Sequence, residues 1–256
     1  MHNKKKMYLF YILSLLLFTL VLLENIEALP LGPVNITTVA NETGPTTSGY
    51  MLNTSGGQIT TVIINGTTQN MRWKAYVGNV TGKLALQDAT GSTIYDWTLT
   101  ATIAGEIYAS RSSSVSWADI NCTWAGTGNK NSVNRTVEEQ ENYIINHTNP
   151  DDNISKTFNT INHSSFYVGN IRIPMNTCYS AHTYKNSSAQ SGDFEEILLY
   201  DNSTSAYNGH VVYSTILEND MSGFDNFYYD FQMIVPENGA VGWTSSTAYY
   251  FFVELI

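Results

Sequence analysis

The side chains that could act in catalysis or metal binding are few and scattered along the sequence. Four histidines follow the apolar N-terminal run, and no two of them are two or four residues apart. Cys178 lies four residues before His182, and His147 lies four before Asp151, but neither pair falls in an obvious helix that would place both side chains on one face. His163 lies beside a predicted strand and is expected to be a hydrogen-bonded structural histidine. The sequence therefore predicts no metal site and no cofactor.

The carboxylates also form no recognisable catalytic pair. Glu195 and Glu196 are adjacent in a predicted strand, so they point to opposite faces and do not converge on one glycosidic bond. The stretch Asp151-Asp152-Asn153 resembles a fragment of a calcium loop without its other ligand positions, and a solvated turn is the better interpretation. No nucleophile elbow, P-loop or dinucleotide-binding glycine motif occurs. We therefore expect no enzymatic activity, and a secreted hydrolase with an unrecognised site remains an alternative.

Cys122 and Cys178 are the only cysteines, and both follow the apolar N-terminal run. In an oxidising compartment an isolated pair most simply forms one disulfide. A metal site or a catalytic thiol are the alternatives; the first lacks C-x-x-C spacing, and the second needs a histidine held beside the sulfur.

Asparagine is a further side chain open to modification, because N-x-S/T is the acceptor sequence for N-glycosylation. This pattern occurs about twice as often as composition alone would produce, and several copies lie at predicted turns. We expect several of these asparagines to carry glycans: Asn35, Asn41, Asn53, Asn65, Asn79, Asn121, Asn134, Asn146, Asn153, Asn162, Asn186 and Asn202.

The N-terminus has the order of an export signal. Lys4, Lys5 and Lys6 precede an apolar run over residues 7–23, and a small residue, Ala28, follows a short polar stretch. We predict a signal peptide over residues 1–28; the alternative is an uncleaved anchor, in which residues 7–23 would be the only membrane contact. Either way, the remaining chain is expected to be extracellular, at the cell surface.

Composition excludes one large class of partner. The chain has 12 basic and 22 acidic residues, a net charge of -10 and only 13% charged residues. Nucleic-acid binding requires basic patches that neutralise phosphates, and none is present. The expected partners are therefore further copies of the chain or other surface proteins, with a glycan as another candidate.

The elements beyond the signal predict an all-β fold. Residues 29–57, rich in Thr, Asn, Gly and Pro, are expected to form a flexible stalk, in which Val34 and Ile36 alternate as in a short strand. Residues 58–256 are expected to form an antiparallel β-sandwich of about 9–10 strands, with a polar, partly helical insertion over about 116–163. The predicted strands include Ile59–Ile64, ending in an Asn65-Gly66 turn, a three-strand meander over residues 72–99 and one strand over residues 166–173. The stretch SWADIN at the start of the insertion predicts one helical turn. The C-terminal AYYFFVELI is apolar on both faces except for Glu254, which predicts a central strand covered on both sides.

The order of several segments resembles uncharacterised secreted proteins of small-genome archaea. These segments include RWKAYVGNVTG, DATGSTIYDW, GEIYASRSSSVSWADINC, FEEILLYD and TAYYFFVEL, and the resemblance covers most of residues 58–256. It implies an archaeal cell-surface location and a β-rich domain with Cys122 and Cys178 as a pair. It supplies no activity and no catalytic residues.

Together these observations predict an exported, N-glycosylated structural or adhesive surface protein, such as a filament or coat subunit. One alternative is a carbohydrate-binding module, in which exposed indoles stack on sugar rings. The candidate residues for this role are Trp117, Trp124 and Trp243.

Overall fold

The computed structural model describes residues 29–45, 48–49, 51–53, 55–97, 104–122, 141–142, 145–146, 151–203, 211–237 and 246–256. The expected signal over residues 1–28 lies outside these ranges, as do Asn134, Trp124 and Trp243. No helix in the described ranges is long and apolar enough to cross a membrane.

The described residues form short strands, one helical turn of 3-10 type at Trp117–Asp119 and one short helix, α1, at Ile154–Thr157. The strands in chain order are β1 Trp73–Gly78, β2 Leu84–Gln87, β3 Thr93–Trp97, β4 Gly105–Ser110, β5 Ile120–Cys122, β6 Phe166–Val168, β7 Ile171–Ile173, β8 Ser180–Lys185, β9 Ala189–Asp201, β10 Val211–Ile216, β11 Met221–Ser222, β12 Tyr228–Tyr229, β13 Phe231–Pro236 and β14 Tyr250–Leu255. All pairings between them are antiparallel, which confirms the predicted all-β fold.

A six-stranded main sheet organises the fold. Its order is β14-β4-β10-β9-β5, and β8 pairs with another part of β9. The pair β1–β13 packs on one face, where Met233 and Val235 meet Leu198 and Tyr213. The hairpin β6–β7 packs on the other face, where Phe166 and Val168 belong to one cluster with Leu199 and Val212 of the sheet. Because the main sheet is covered on both faces, its strands carry apolar side chains on both faces as well.

The position of the last strand differs from the prediction. β14 pairs only with β4 among the named strands, so it is the edge of the main sheet and not a central strand. Its apolar residues face the two layers that cover the sheet, with Phe251 and Val253 on one side and Phe252 on the other. Apolar side chains on both faces of a strand therefore indicate that layers cover both faces of the sheet. They do not indicate that the strand has a neighbour on each side.

Three further expectations about strands are corrected. Residues 59–64 form no strand, and the nearby turn lies at Gly56-Gly57 and not at Asn65-Gly66. The predicted meander is wrong because β1 pairs with β13, while β2 and β3 form a separate hairpin. The stretch 166–173 is a hairpin of two strands and not one strand.

The stretch expected to be an insertion contributes to the main sheet. β5 pairs with the end of β9, and the predicted helical turn before it is present at Trp117–Asp119. Asn153 caps α1 by accepting a hydrogen bond from the backbone N–H of Lys156. The described part of residues 116–163 is thus packed secondary structure at both ends.

The disulfide between Cys122 and Cys178 is present and joins β5 to the segment before β8. His163 holds this segment in place, since its Nε2 accepts from the backbone N–H groups of Thr177 at 3.1 Å and Cys178 at 2.9 Å. Its Nδ1 lies 2.7 Å from the Ser164 carbonyl oxygen, so Nδ1 carries the proton. His163 is buried and both ring nitrogens are engaged, which confirms the structural interpretation of this histidine.

The disulfide gives the first testable prediction. It closes a long loop, with the cysteines 56 positions apart, so the chain-entropy model assigns it about 4 kcal/mol. Cys122→Ser should lower the free energy of unfolding by about 2–5 kcal/mol in denaturant titrations. Ser113→Ala, at an exposed position, serves as the matched control. Equal stability of Cys122→Ser and the wild type would contradict this role for the bond.

Candidate functional site: the outer edge of the main sheet

The outer edge of β14 presents backbone hydrogen-bonding groups to solvent. In an antiparallel pair, successive residues direct their N–H and C=O groups to opposite sides of the strand. Tyr250, Phe252 and Glu254 direct these groups toward β4, so Phe251, Val253 and Leu255 direct theirs outward. An edge of this kind is a template for a further strand.

One residue of the N-terminal segment occupies the middle of this edge. Leu31 donates its N–H to the Val253 carbonyl at 3.1 Å and accepts from the Val253 N–H at 2.8 Å. Pro33 would stand opposite Phe251 if the pairing continued, and it has no N–H to donate. The bridge therefore remains a single residue pair, and this is the only strand-type contact at the outer edge among the described residues.

The side chains of β14 are incompletely covered. Phe251, Phe252, Val253 and Leu255 are each half-buried, although they pack against the two core clusters. Phe251 meets the ring of Tyr76 edge-on at 5.0 Å, which fixes one side of the strand on the β1–β13 layer. A further strand along the edge would cover the remaining exposed surface of these residues.

A buried pair of carboxyl groups anchors β14 to β4. Glu254 and Glu106 are directly opposed in the register of the two strands, and each side chain is only 2% exposed. Glu254 accepts hydrogen bonds from the Tyr108 hydroxyl at 2.9 Å and from the Gly169 N–H at 2.9 and 3.1 Å. The donors converge on Glu254, so this residue carries the negative charge of the pair.

Glu106 is held in the neutral form. Desolvation by burial, followed by the charge of Glu254, raises the pKa of Glu106 to about 8. Two opposed carboxylates in a dry environment repel each other, so one proton is retained between them at neutral pH. The pair is buried and therefore has no access to a substrate. Its protonation makes the attachment of β14 to β4 dependent on pH.

Gly105 permits the close approach of β4 to β14. Its φ is +139°, and a Cβ added to it would clash with the backbone oxygen of Glu254. Only glycine combines this backbone conformation with such a contact. Gly105 and the carboxyl pair beside it therefore determine how the edge strand is seated.

The second component of the site is the segment Ile59–Ile64, which is apolar and exposed. Ile59 is 99% exposed and Ile63 is 98% exposed, while Val62 and Ile64 are also exposed. The segment contains no charge, proline or glycine and is rich in β-branched residues. Such six-residue segments have high β-propensity and pair readily with other strands.

The sequon asparagines lie at the surface. Among those that the structure describes, Asn153 is half-buried and the others are exposed, including Asn65 directly after the apolar segment and Asn121 in β5. Their accessibility is compatible with glycans, and occupancy stays a prediction.

Trp117 packs against two aromatic residues. It is half-buried and lies between Tyr108 and Phe252, with ring centroids 5.1 and 5.0 Å away. The indole thus belongs to the core cluster under β14. The sugar-stacking role of Trp117 stays a prediction, and only the part of the ring outside this cluster could contact a ligand.

Two further features carry polar groups: the glutamates of β9 and a cleft beside β1. Glu195 accepts from the Ser164 N–H, whereas Glu196 is fully buried on the other face and accepts from the Ile234 N–H. The two side chains diverge, as their adjacency in the strand predicted. A polar cleft of about 440 Å³ lies elsewhere, between Trp73, Asp152 and the residues around them. No group of three or more potential metal ligands occurs among the described residues.

Comparison with known proteins identifies no relative. No family model, curated protein or solved structure matches this chain. The resemblance to secreted archaeal proteins therefore stays a prediction from the sequence.

Proposed function

We propose that this chain is an exported surface protein that assembles into a filament or coat by donating a strand to the next copy. The donor is Ile59–Ile64, and the acceptor is the outer edge of β14 in a second molecule. The observation that supports this most directly is the coexistence of a sheet edge that only Leu31 occupies with an apolar β-type segment that pairs with no strand among the described residues.

The two surfaces match in length and chemistry. The donor and β14 each contain six residues, so one strand can satisfy the outward groups along the whole edge. In an extended donor Ile59 and Ile63 lie on one face, while Val62 and Ile64 lie on the other. Both faces of an added strand would be apolar, which suits a sheet covered on both sides.

Assembly requires the displacement of Leu31. This residue contributes two backbone hydrogen bonds, and each contributes about 1 kcal/mol net. A six-residue strand forms more hydrogen bonds and also buries apolar side chains. Leu31 therefore acts as a weak cover that protects the edge of an unassembled chain.

A donor on one part of the molecule and an acceptor on another give a head-to-tail contact. Such contacts do not close unless the rotation forms a ring, so they generate fibres. The single disulfide is typical of oxidising, extracellular compartments, and the surface sequons suit an exported coat. These features support a cell-surface location and a structural or adhesive function.

The test is the mass of the purified full chain, measured by light scattering and electron microscopy. Wild type should form extended assemblies, and Ile63→Pro should remain monomeric because proline removes a backbone N–H from the donor. Val39→Pro is the matched control, since Val39 is also exposed and lies outside the donor. Monomeric wild type at high concentration, or undiminished assembly of Ile63→Pro, would contradict the proposal.

The polar cleft favours a second candidate function, binding of a carbohydrate. Trp73 lies in the cleft with Asp152, His182 and Gln190, a combination of one aromatic ring with polar groups typical of ligand sites. Titration calorimetry with soluble oligosaccharides tests this candidate. Binding that is abolished by Gln190→Ala, at an exposed position, would identify the cleft as the site.

A further inference from the structure

The hairpin β11–β12 carries an exposed aromatic loop, Gly223–Tyr228. Phe224 is 42% exposed, Phe227 is 68% exposed and Tyr228 is 64% exposed. Phe224 also stacks on Tyr229 with ring centroids 6.3 Å apart and planes inclined by 13°. Phe224 therefore forms the exposed ring of a stacked pair, with Tyr229 beneath it.

The backbone of the aromatic loop is firmly held. Gly223 donates to the Phe227 carbonyl at 2.7 Å, and the Phe224 N–H donates to Oε1 of the buried Gln232 at 2.9 Å. Asp225 accepts from the Phe227 N–H and from the Tyr229 hydroxyl. Exposed aromatic rings on a fixed backbone lose little conformational freedom on contact with a ligand, which is the property of a preorganised binding surface.

Asn186, the acceptor of one sequon, is tied to this loop. Its backbone N–H donates to the Gly223 carbonyl at 2.8 Å, and its side-chain Oδ1 accepts from the Ser222 hydroxyl at 2.7 Å. The neighbouring Ser187 hydroxyl donates to the Phe224 carbonyl at 2.8 Å. The turn that bears the sequon is therefore fixed against the backbone of the aromatic loop.

The amide of Asn186 is oriented for modification. Glycosylation occurs at Nδ2 and leaves Oδ1 free to keep the hydrogen bond from Ser222. The side chain is exposed, and its φ of +54° is a conformation that asparagine tolerates better than most residues. An attached sugar would therefore start at the base of the loop that carries Phe224.

We propose that Asn186 carries an N-linked glycan whose first sugar packs on Phe224 and covers the aromatic loop. The inference rests on the proposed export and glycosylation of the chain but not on its assembly. The sugar ring presents C–H groups that contact an aromatic face, so exposed apolar surface is removed from water on both partners. The glycan of the same chain is favoured as the occupant because its attachment point is already bonded to the loop.

The experiment compares the full chain secreted by a eukaryotic host with the same chain from a bacterial host without N-glycosylation. Ser188→Ala removes the sequon without changing Asn186, and Ser188→Thr preserves the sequon as the matched control. Peptide mass spectrometry should find a glycan at Asn186 in wild type and Ser188→Thr but not in Ser188→Ala. In the glycosylated material Ser188→Ala should lower Tm by about 2–4 °C.

The contribution of Phe224 is separated by a double-mutant cycle. Phe224→Ala removes the ring and keeps the sequon, so Ser188→Ala should cause little further loss of Tm in that background. The Ser188 hydroxyl also donates to the Lys185 carbonyl. If loss of this hydrogen bond were the cause, Ser188→Ala would lower Tm equally with and without Phe224 and in both hosts.

Additive losses of Tm, or equal losses without glycosylation, would overturn the proposed packing. An unmodified Asn186 in a chain that is glycosylated elsewhere would overturn this site alone, whereas absence of glycan from every sequon would also refute the glycosylation in the proposed function. Assembly is measured separately by molecular mass, so the strand-donation proposal fails or succeeds independently.

Discussion

Gly105→Ala should destabilise the fold by about 2–6 kcal/mol and should also prevent assembly. Alanine at φ +139° is strained by about 1–3 kcal/mol, and overpacking against the backbone of Glu254 adds about 1–3 kcal/mol. The substitution separates β14 from β4 at the end where Leu255 pairs with Gly105. The acceptor edge would then be misplaced even in molecules that remain folded.

The free energy of unfolding of Gly105→Ala is measured by urea titration at a pH near 6, and its mass by light scattering. Gly66→Ala is the matched control, because no atom lies within 4 Å of the added Cβ and the residue has no left-handed backbone conformation. Gly66→Ala should behave as wild type in both measurements. A stable, assembling Gly105→Ala would show that β14 is not seated as described.

Glu106→Gln should remove a large part of the pH dependence of stability. The pKa of Glu106 in the folded chain is raised to about 8, whereas an unfolded glutamate has a pKa of about 4.3. The contribution of Glu106 is present in full below pH 4.3 and is lost as pH rises toward 8, because only the unfolded chain releases the proton readily. The loss amounts to about 5 kcal/mol over this window.

Wild type should therefore become less stable from pH 5 to pH 8 in urea titrations, and Glu106→Gln should show a shallower decline. Burial also raises the pKa of Glu141, Glu196 and Glu218, and these contributions are common to both proteins. Glu42→Gln, at an exposed position, is the control and should retain the steep decline. Parallel pH profiles of wild type and Glu106→Gln would contradict the buried pair.

Much of the fold follows from local sequence. GEIYASR, DFEEILLY and HVVYSTIL correspond to β4, part of β9 and β10, because buried β-branched and aromatic runs favour strands whatever their neighbours. The pair Gly169-Asn170 within FYVGNIRI is a two-residue hairpin signal that would have divided this stretch into β6 and β7. β8 reads SAHTYK, which has no apolar alternation, and it forms because β9 offers a partner.

The candidate site was less accessible to sequence reasoning because it depends on which strands are neighbours. Glu254 stood out as the one charge in an apolar strand, but its partner Glu106 lies far away in the chain and is identified only by the register of β14 on β4. The β-propensity of Ile59–Ile64 predicted a strand, but the described chain provides no neighbour for it and no strand forms. Propensity therefore indicates the ability to pair, whereas the partner is set by tertiary or intermolecular contacts.

Strand donation between molecules is tested most directly by mixing two defective variants. Ile63→Pro has a broken donor and an intact edge, whereas Val253→Pro has an intact donor and an edge that lacks its central outward N–H. Circular dichroism first verifies that both variants are folded.

The decisive measurement is the native mass of each variant alone and of their equimolar mixture. Strand donation predicts monomers for each variant alone and a heterodimer in the mixture, since one functional donor meets one functional edge and no further growth follows. A mixture that remains monomeric, or variants that still form extended assemblies alone, would contradict strand donation between copies of this chain.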